Sequence, residues 1–413
     1  MTAAEQGNPF RSGVGGGVTV SQSSDFPGGE DGRRRATIGT TPVRQPLERI
    51  DQRDNAFWRR KHGLVRGAEP AAIPRRAEEQ AADGEAGDPL QRIFFGEERR
   101  ANCLNEQLAG MVDGPCRPEQ HGFGSPEVAS RHLTEAALFL GADLAGCCEL
   151  DEGFVYTHAG HESGAASERA GEPVELGHGY AIVLAAEMDY RLISSSPSYI
   201  DAAEVGAAYV RVGLAAVSLA AYLRELGWPA RAHIVRNEQV LQVPLAVQAG
   251  LGELGRNGFL VTARYGPRVR LATVTTNLPL TPAKPVNLGV EAFCRRCLKC
   301  ADCCPSRSIP AGEPEWVRGA QKWRIEGDDC LAFWGSAPER WGNCNVCIKV
   351  CPWNKPDTWW HAWAAAAVRR LPGLTRPLVL LDDLIYGRNP RPRVTFLGYD
   401  NRKPSPWVGP KQS

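Results

Sequence analysis

Cys294, Cys297, Cys300 and Cys304 are spaced C-x2-C-x2-C-x3-C and are followed by Pro305. Nothing else in the chain restricts its folding as tightly, because a tight loop that returns three thiols to one place must close around something. This is the run by which bacterial ferredoxins hold [4Fe–4S] clusters, with the fourth cysteine reaching across to the other cluster. A partial repeat follows: Cys330, then Cys344, Cys347 and Cys351, with Pro352 next. The crossing rule gives one set as Cys294, Cys297, Cys300 and Cys351, and the other as Cys304, Cys330, Cys344 and Cys347. Paired structural zinc sites use C-x2-C knuckles, which fit three cysteines at consecutive x2 spacings and a closing Cys-Pro poorly.

The chain holds 13 cysteines, nine of them between Cys294 and Cys351. That concentration reads as metal ligation, not as a disulfide framework. Cys303 is a spectator in this scheme. Cys103, Cys116, Cys147 and Cys148 are expected to be buried small hydrophobes. Lys plus Arg (48) nearly balances Asp plus Glu (47), a net charge of +1, so no basic excess points to nucleic acid or an anionic membrane. No run of 18 apolar residues is present, which argues against a membrane span. Arg33, Arg34 and Arg35 are not followed by an apolar stretch, so a secretory signal is not expected and the cytoplasm is.

Texture divides the rest. Residues 1–45 are rich in Gly, Ser, Arg and Pro and read as a disordered tail. Residues 46–135 read as a helical wrap and 136–290 as an α/β core. A ferredoxin-like module spans 291–355 and a C-terminal wrap 356–413. Within the core, Gly179–Glu187 is a near-continuous apolar run expected of a buried strand. Asp201 is expected to cap an Ala-rich helix from Ala202 to Leu226 that ends at Gly227. Phe259–Thr262 and Val269–Thr275 flank Tyr265-Gly266-Pro267 and read as a hairpin. Eight of the eleven tryptophans lie between Trp316 and Trp363, as core packing or as shielding of the clusters.

Gly250, Gly252 and Gly255 match G-x-G-x-x-G. A helix-like segment, Pro244–Ala249, precedes them where a dinucleotide site needs a strand. With Gly258 added, the pattern calls for close backbone approach, either to a large flat cofactor or at a tight helix–strand junction. His158, His161 and His178 match no ligand spacing.

The stretch from Pro244 to Gly258, then Tyr265-Gly-Pro-Arg-Val-Arg270, then the two cysteine motifs ending in Cys351-Pro-Trp353, closely resembles the corrinoid-dependent reductive dehalogenases, with Leu381–Gly387 similar to that family's C-terminal segment. The resemblance runs over about residues 136–390. It implies a nitroreductase-like α/β corrinoid-binding core carrying a ferredoxin-like module with two [4Fe–4S] clusters. It further implies a base-off cobalamin or other corrinoid without a protein His on cobalt. The segment His161-Glu-Ser-Gly164 lacks the Asp of D-x-H-x-x-G in agreement. Gly250, Gly252, Gly255, Arg256 and Gly258 are then the expected cofactor-binding residues. An organohalide, in the cytoplasmic branch a halogenated phenol or related aromatic, is the implied substrate. A separate ferredoxin- or flavodoxin-type donor is the implied electron source.

Reductive cleavage of a carbon–halogen bond needs two electrons and a proton. A tyrosine suits the donor role when a neighbouring cation lowers a phenol pKa of about 10. Tyr209 is the first choice by its place in the family pattern and Tyr190 its competitor. Arg270 or Arg268 is the expected cation, and Asn237 stands where the family has a polar residue near substrate. Competing readings are an epoxyqueuosine reductase-like tRNA-modifying enzyme and a non-catalytic electron-transfer or corrinoid-carrier protein. Arg191 after Asp189-Tyr190, and Gly-Leu-Gly-Glu-Leu-Gly-Arg at 250–256, depart from the first of these.

Overall fold

A computed structural model of the chain describes residues 35–64, 104–161, 165–335, 343–356, 358–397 and 399–401. It begins with a hairpin, β1 (Arg35–Ile38) and β2 (Thr41–Arg44), followed by the short helix α1 (Ala56–Lys61). Next come α2 (Leu104–Ala109), α3 (Pro126–Phe139), β3 (Leu144–Glu149), β4 (Tyr180–Glu187), α4 (Tyr190–Ile193) and the long α5 (Tyr199–Glu225). The core closes with β5 (Ala230–His233), α6 (Gln242–Gln248), β6 (Glu253–Leu254), β7 (Leu260–Val261) and β8 (Val269–Thr276).

The central sheet runs β3-β4-β8-β5 and is antiparallel throughout. Its β4 is apolar almost without interruption because both faces are covered. Side chains alternate across a strand, so Ile182, Leu184 and Ala186 join one core with Leu219 and Leu223 of α5. Ala181, Val183 and Ala185 join the other with Leu245 and Val247 of α6. The helix α5 is long and apolar enough to cross a membrane by length and composition. Here its apolar side chains Ala215, Ala216, Leu219 and Leu223 are spent on the sheet. Ser198, not Asp201, is its N-cap. Asp201 sits at N3 and closes a reciprocal capping box with Ser198.

Two expectations from sequence are overturned. Residues 35–44 are strands, not tail: Val43 of β2 pairs with Ala320, joining the hairpin to a ribbon in the cysteine-rich part. Residues 1–34 lie outside the described residues. The hairpin expected around Tyr265–Pro267 does not form either. β7 pairs with β6, and β8 has both its edges taken by β4 and β5. A local Thr262–Gly266 bridge closes the loop between β7 and β8.

The cysteine-rich part contains α7 (Val290–Cys297), α8 (Lys299–Cys303), β9 (Glu315–Val317), β10 (Ala320–Lys322), α9 (Gly327–Gly335) and α10 (Val346–Lys349). Two further helices, α11 (Trp359–Arg370) and α12 (Thr375–Tyr386), cover it, with Val368 and Val379 packed on Phe293. The small ribbon β11 (Thr395–Phe396) and β12 (Tyr399–Asp400) ends the described chain. The tryptophans divide: Trp323 is buried, whereas Trp359, Trp360 and Trp363 face outward.

Candidate active site

Leu298, in the left-handed conformation, breaks the chain between α7 and α8. That reversal lets cysteines on two short helices face one another. Cys294, Cys297, Cys300 and Cys351 line a single cavity together with Gly255, Arg256 and Asn257. The remaining four are mutual neighbours: Cys330, Cys344 and Cys347 each feel the charge of Cys304, and Cys347 also borders Cys351. Four cysteines thus share one cavity and Cys304, Cys330, Cys344 and Cys347 neighbour one another, while among the described residues no three Cys, His, Asp or Glu side chains stand close enough to hold a single metal ion. Burial pushes Cys294 and Cys330 up to about 11, and Cys344 and Cys351 up to about 12. Thiols this deep become thiolates only against a compensating cationic centre.

Cys303 stands apart, its Sγ pointing at Arg388 O at 3.6 Å. Cys147 and Cys148 are buried as expected, but Cys116 is exposed. Cys103 lies outside the described residues. None of the three histidines joins a ligand cluster: His161 meets Glu238 O, His178 meets Thr275 Oγ1 and His158 meets Thr157 Oγ1.

The glycine-rich segment serves the protein's own packing. A Cβ on Gly250 (φ +75°) would lie 2.7 Å from Lys284 O, and one on Gly252 would strike Val261 O. Gly255 is closed by Asn257 Oδ1 at 2.7 Å and Gly258 by Ile325 at 3.1 Å. At all four glycines the tight approach is with the chain itself, and Gly255 also lines the cysteine cavity. Arg256, 1% exposed, is likewise engaged. It donates to Cys294 O (3.0 and 3.1 Å), Pro310 O (2.7 Å) and Gly312 O (2.8 Å), and stacks on Trp323 at 4.4 Å. The segment therefore buttresses the cysteine cavity.

Of the expected catalytic side chains, two come together. The Arg270 guanidinium, at the start of β8, lies 5.3 Å from the centre of the Tyr209 ring on α5 and 5.8 Å from Phe259. Its Nη2 donates to Asn345 Oδ1 at 3.0 Å. Arg268 faces elsewhere, paired with Glu187 and 5.3 Å from the Tyr265 ring. Tyr190 is pushed up mainly by burial, with Tyr386 and Asp382 adding to it against Arg268 and Lys299. Asn237 is wholly occupied, donating to Ala109 O at 2.7 Å and accepting from Arg231 at 2.7 Å, which makes it a turn residue after β5.

Sequence reasoning missed Asn345 and the depth of Asp201. Burial pushes the Asp201 carboxyl up to about 6, countered by hydrogen bonds from Asn345, Ser198 and Ser196. Nothing in a linear pattern marks Asn345 except its place next to Cys344.

Comparison with known proteins agrees with this arrangement. Residues 293–355 match the 4Fe-4S dicluster domain family. The tetrachloroethene reductive dehalogenase of Desulfitobacterium hafniense is 36% identical over 296 residues, 61% of this chain and 52% of that protein. The chain is a homologue of the reductive dehalogenases. It spans about half the length of the curated relatives it matches. Its fold is that of the catabolic reductive dehalogenase NpRdhA, solved in complex with 3-bromo-4-hydroxybenzoic acid: TM-score 0.73, 24% identity, 92% of this chain and 55% of that one. The epoxyqueuosine reductase of Bacillus cereus is 33% identical over only 120 residues, 26% of this chain and 28% of that protein.

The reductive dehalogenases that the chain resembles imply a corrinoid as well as iron–sulfur clusters. Buried polar atoms without a partner among the described residues fit such a group. Arg268 Nε, Arg270 Nε, Trp353 Nε1 and both amide atoms of Asn354 are all unsatisfied. Arg268 reaches Lys355 O at 3.4 Å, so the residue before β8 meets the loop after Cys351. A ligand rimmed with carboxamides would satisfy donors and acceptors of this kind.

Proposed function

We propose that the chain catalyses the reductive removal of halide from an organohalide, R–X + 2e⁻ + H⁺ → R–H + X⁻. The observation that carries this reading is the Tyr209–Arg270 pair beside two sets of four cysteines. Cys294, Cys297, Cys300 and Cys351 would hold one [4Fe–4S] cluster and Cys304, Cys330, Cys344 and Cys347 the other, passing electrons singly toward the reacting centre. A base-off corrinoid, when bound, supplies the low-potential cobalt that cleaves the carbon–halogen bond. Arg268, Arg270, Trp353 and Asn354 would hold its polar rim.

Tyr209 delivers the proton from its phenol oxygen, and Arg270 stabilises the phenolate left behind. Tyr190 is the poorer candidate, because burial and Asp382 disfavour its phenolate. The proposed substrate is a halogenated phenol or related aromatic. The proposed electron source is a separate ferredoxin- or flavodoxin-type protein, and the proposed setting is the cytoplasm, in keeping with the free thiols of the described cysteines.

The test is anaerobic reconstitution with iron, sulfide and hydroxocobalamin, followed by metal analysis, EPR and a halide-release assay on halophenols and chlorinated ethenes. About eight irons and one cobalt per chain are expected from two clusters and one corrinoid. Iron without cobalt, and no halide from any substrate, would make the chain an electron carrier instead. Turnover on the ethenes alone would overturn the aromatic assignment.

A further inference from the structure

We infer that Asp201 and Asn345 are positioning residues, a buried two-step tether that fixes the Arg270 guanidinium over Tyr209; the inference rests on the proposed role of that pair. The tether is continuous. Arg270 Nη2 donates to Asn345 Oδ1 at 3.0 Å, and Asn345 Nδ2 donates to Asp201 Oδ2 at 2.9 Å. The other carboxylate oxygen, Oδ1, accepts from Ser198 N at 2.5 Å, and Asn345 N donates to Ser196 Oγ at 2.8 Å. Asp201 and Asn345 are 0% and 2% exposed and Arg270 is 7% exposed.

The directions of these bonds carry the argument. An arginine only donates and a carboxylate only accepts, so a buried Asp201 in direct contact with Arg270 would form a tight ion pair and draw charge away from the phenol. Asn345 stands between them, accepting on its oxygen and donating on its nitrogen. The amide orients both groups and leaves the guanidinium formally unpaired on the Tyr209 side. The carboxylate is in turn fixed at the first turn of α5, the helix that carries Tyr209. One network thereby sets the spacing between the two elements that bear the pair. It also ties them to the peptide that follows Cys344.

The tether makes a prediction that a merely structural role does not. Asn345→Asp sets two carboxylates face to face, and Asp201→Asn replaces one acceptor oxygen by an N–H that meets either Asn345 Nδ2 or Ser198 N, so each single variant breaks the donor–acceptor order. The double variant Asp201→Asn/Asn345→Asp restores the hydrogen bonds, with the amide donating from position 201, but its carboxylate pairs directly with Arg270. In the cluster-loaded enzyme each single variant is expected to lower kcat for halide release about tenfold or more with little change in KM. The double variant is expected to regain the fold and iron content without regaining kcat, and full recovery of kcat would reduce the tether to packing. Independently of turnover, the ultraviolet resonance Raman signature of the Tyr209 ring, read as the difference against Tyr209→Phe, is expected to change in the single variants.

Iron content and cluster EPR identify any variant that has lost a cluster, and the Raman difference is then read on the remaining ones. If Tyr209→Phe leaves halide release unchanged, the proposed function of the pair fails first. If Tyr209→Phe abolishes release while both single variants keep wild-type kcat and the wild-type Tyr209 Raman signature, the pair stands and the tether is refuted.

Discussion

The Arg270 guanidinium is held 5.3 Å from the Tyr209 ring although the two side chains come from different elements, a central strand and a long helix. Removing the phenol oxygen removes the proton but not the packing of the ring. Tyr209→Phe is therefore expected to cut halide release by about 10²–10⁴-fold with both clusters intact. Arg270→Lys, which loses the planar fork that Asn345 accepts from, should fall between that variant and the wild type. Halide release and cluster EPR on the same preparations check both; unchanged turnover in Tyr209→Phe would return the donor role to Tyr190.

Arg256 stitches the glycine-rich segment to the cysteine-rich part through Cys294 O, Pro310 O and Gly312 O. Arg256→Ala leaves those carbonyls without their charged donor, at a cost of roughly 1.5–3 kcal/mol for each charged hydrogen bond lost. Because one carbonyl belongs to Cys294, iron content should drop toward about four per chain, the complement of one cluster. Retention of full iron would show that the strut is dispensable for the cavity.

Lys299 is 1% exposed and lies 2.7 Å from Asp382 and 2.6 Å from Asp383. It pins α12 onto the cysteine-rich part from the residue that precedes Cys300. Lys299→Met leaves both carboxylates short of a partner, although Lys355 still reaches Asp382 and Arg388 still reaches Asp383. A loss on the order of 3 kcal/mol is expected, the lower end for breaking a buried pair, and denaturant unfolding of the cluster-loaded protein measures it.

His233 is fully buried, its Nε2 at 2.9 Å from Thr275 Oγ1 and its Nδ1 accepting from Gln239 N at 3.1 Å. Burial chiefly, then the charge of Arg231, holds its pKa well below 6.5. In the unfolded chain the ring takes up a proton near pH 6.5, which the folded state refuses. Above that pH the ring is neutral in both states and contributes no slope. Below it the unfolded state binds more protons, so stability falls as pH is lowered, by up to about 1.4 kcal/mol per pH unit for this group. His233→Gln should flatten that part of the stability–pH curve; an unaltered acid limb would assign the slope to other groups.

Much of this protein was legible in one dimension. Cysteine spacing alone sorted eight thiols into two sets, because short loops bring ligands together wherever they fold. The apolar run at 180–187 announced a strand covered on both faces, and the alanine-rich stretch after Ser198 announced the long helix. What the sequence could not decide were relations between segments distant along the chain. Four glycines and Arg256 looked like a cofactor cradle, yet they pack against Val261, Lys284 and Cys294, because a glycine records that something comes close without recording what. Residues 35–44 looked like tail, yet they gain a strand partner some 275 residues further on, at Ala320. Asn237 and Arg268 were as reasonable on paper as Tyr209 and Arg270. Only the register of β8 against its neighbours and the turn after β5 spent their side chains elsewhere. The sequence determined which chemistry was present, since ligand types and local periodicity are written in order along the chain. Tertiary structure alone decided which side chains meet, since hydrogen-bond partners such as Arg270, Asn345 and Asp201 are chosen by packing and not by spacing.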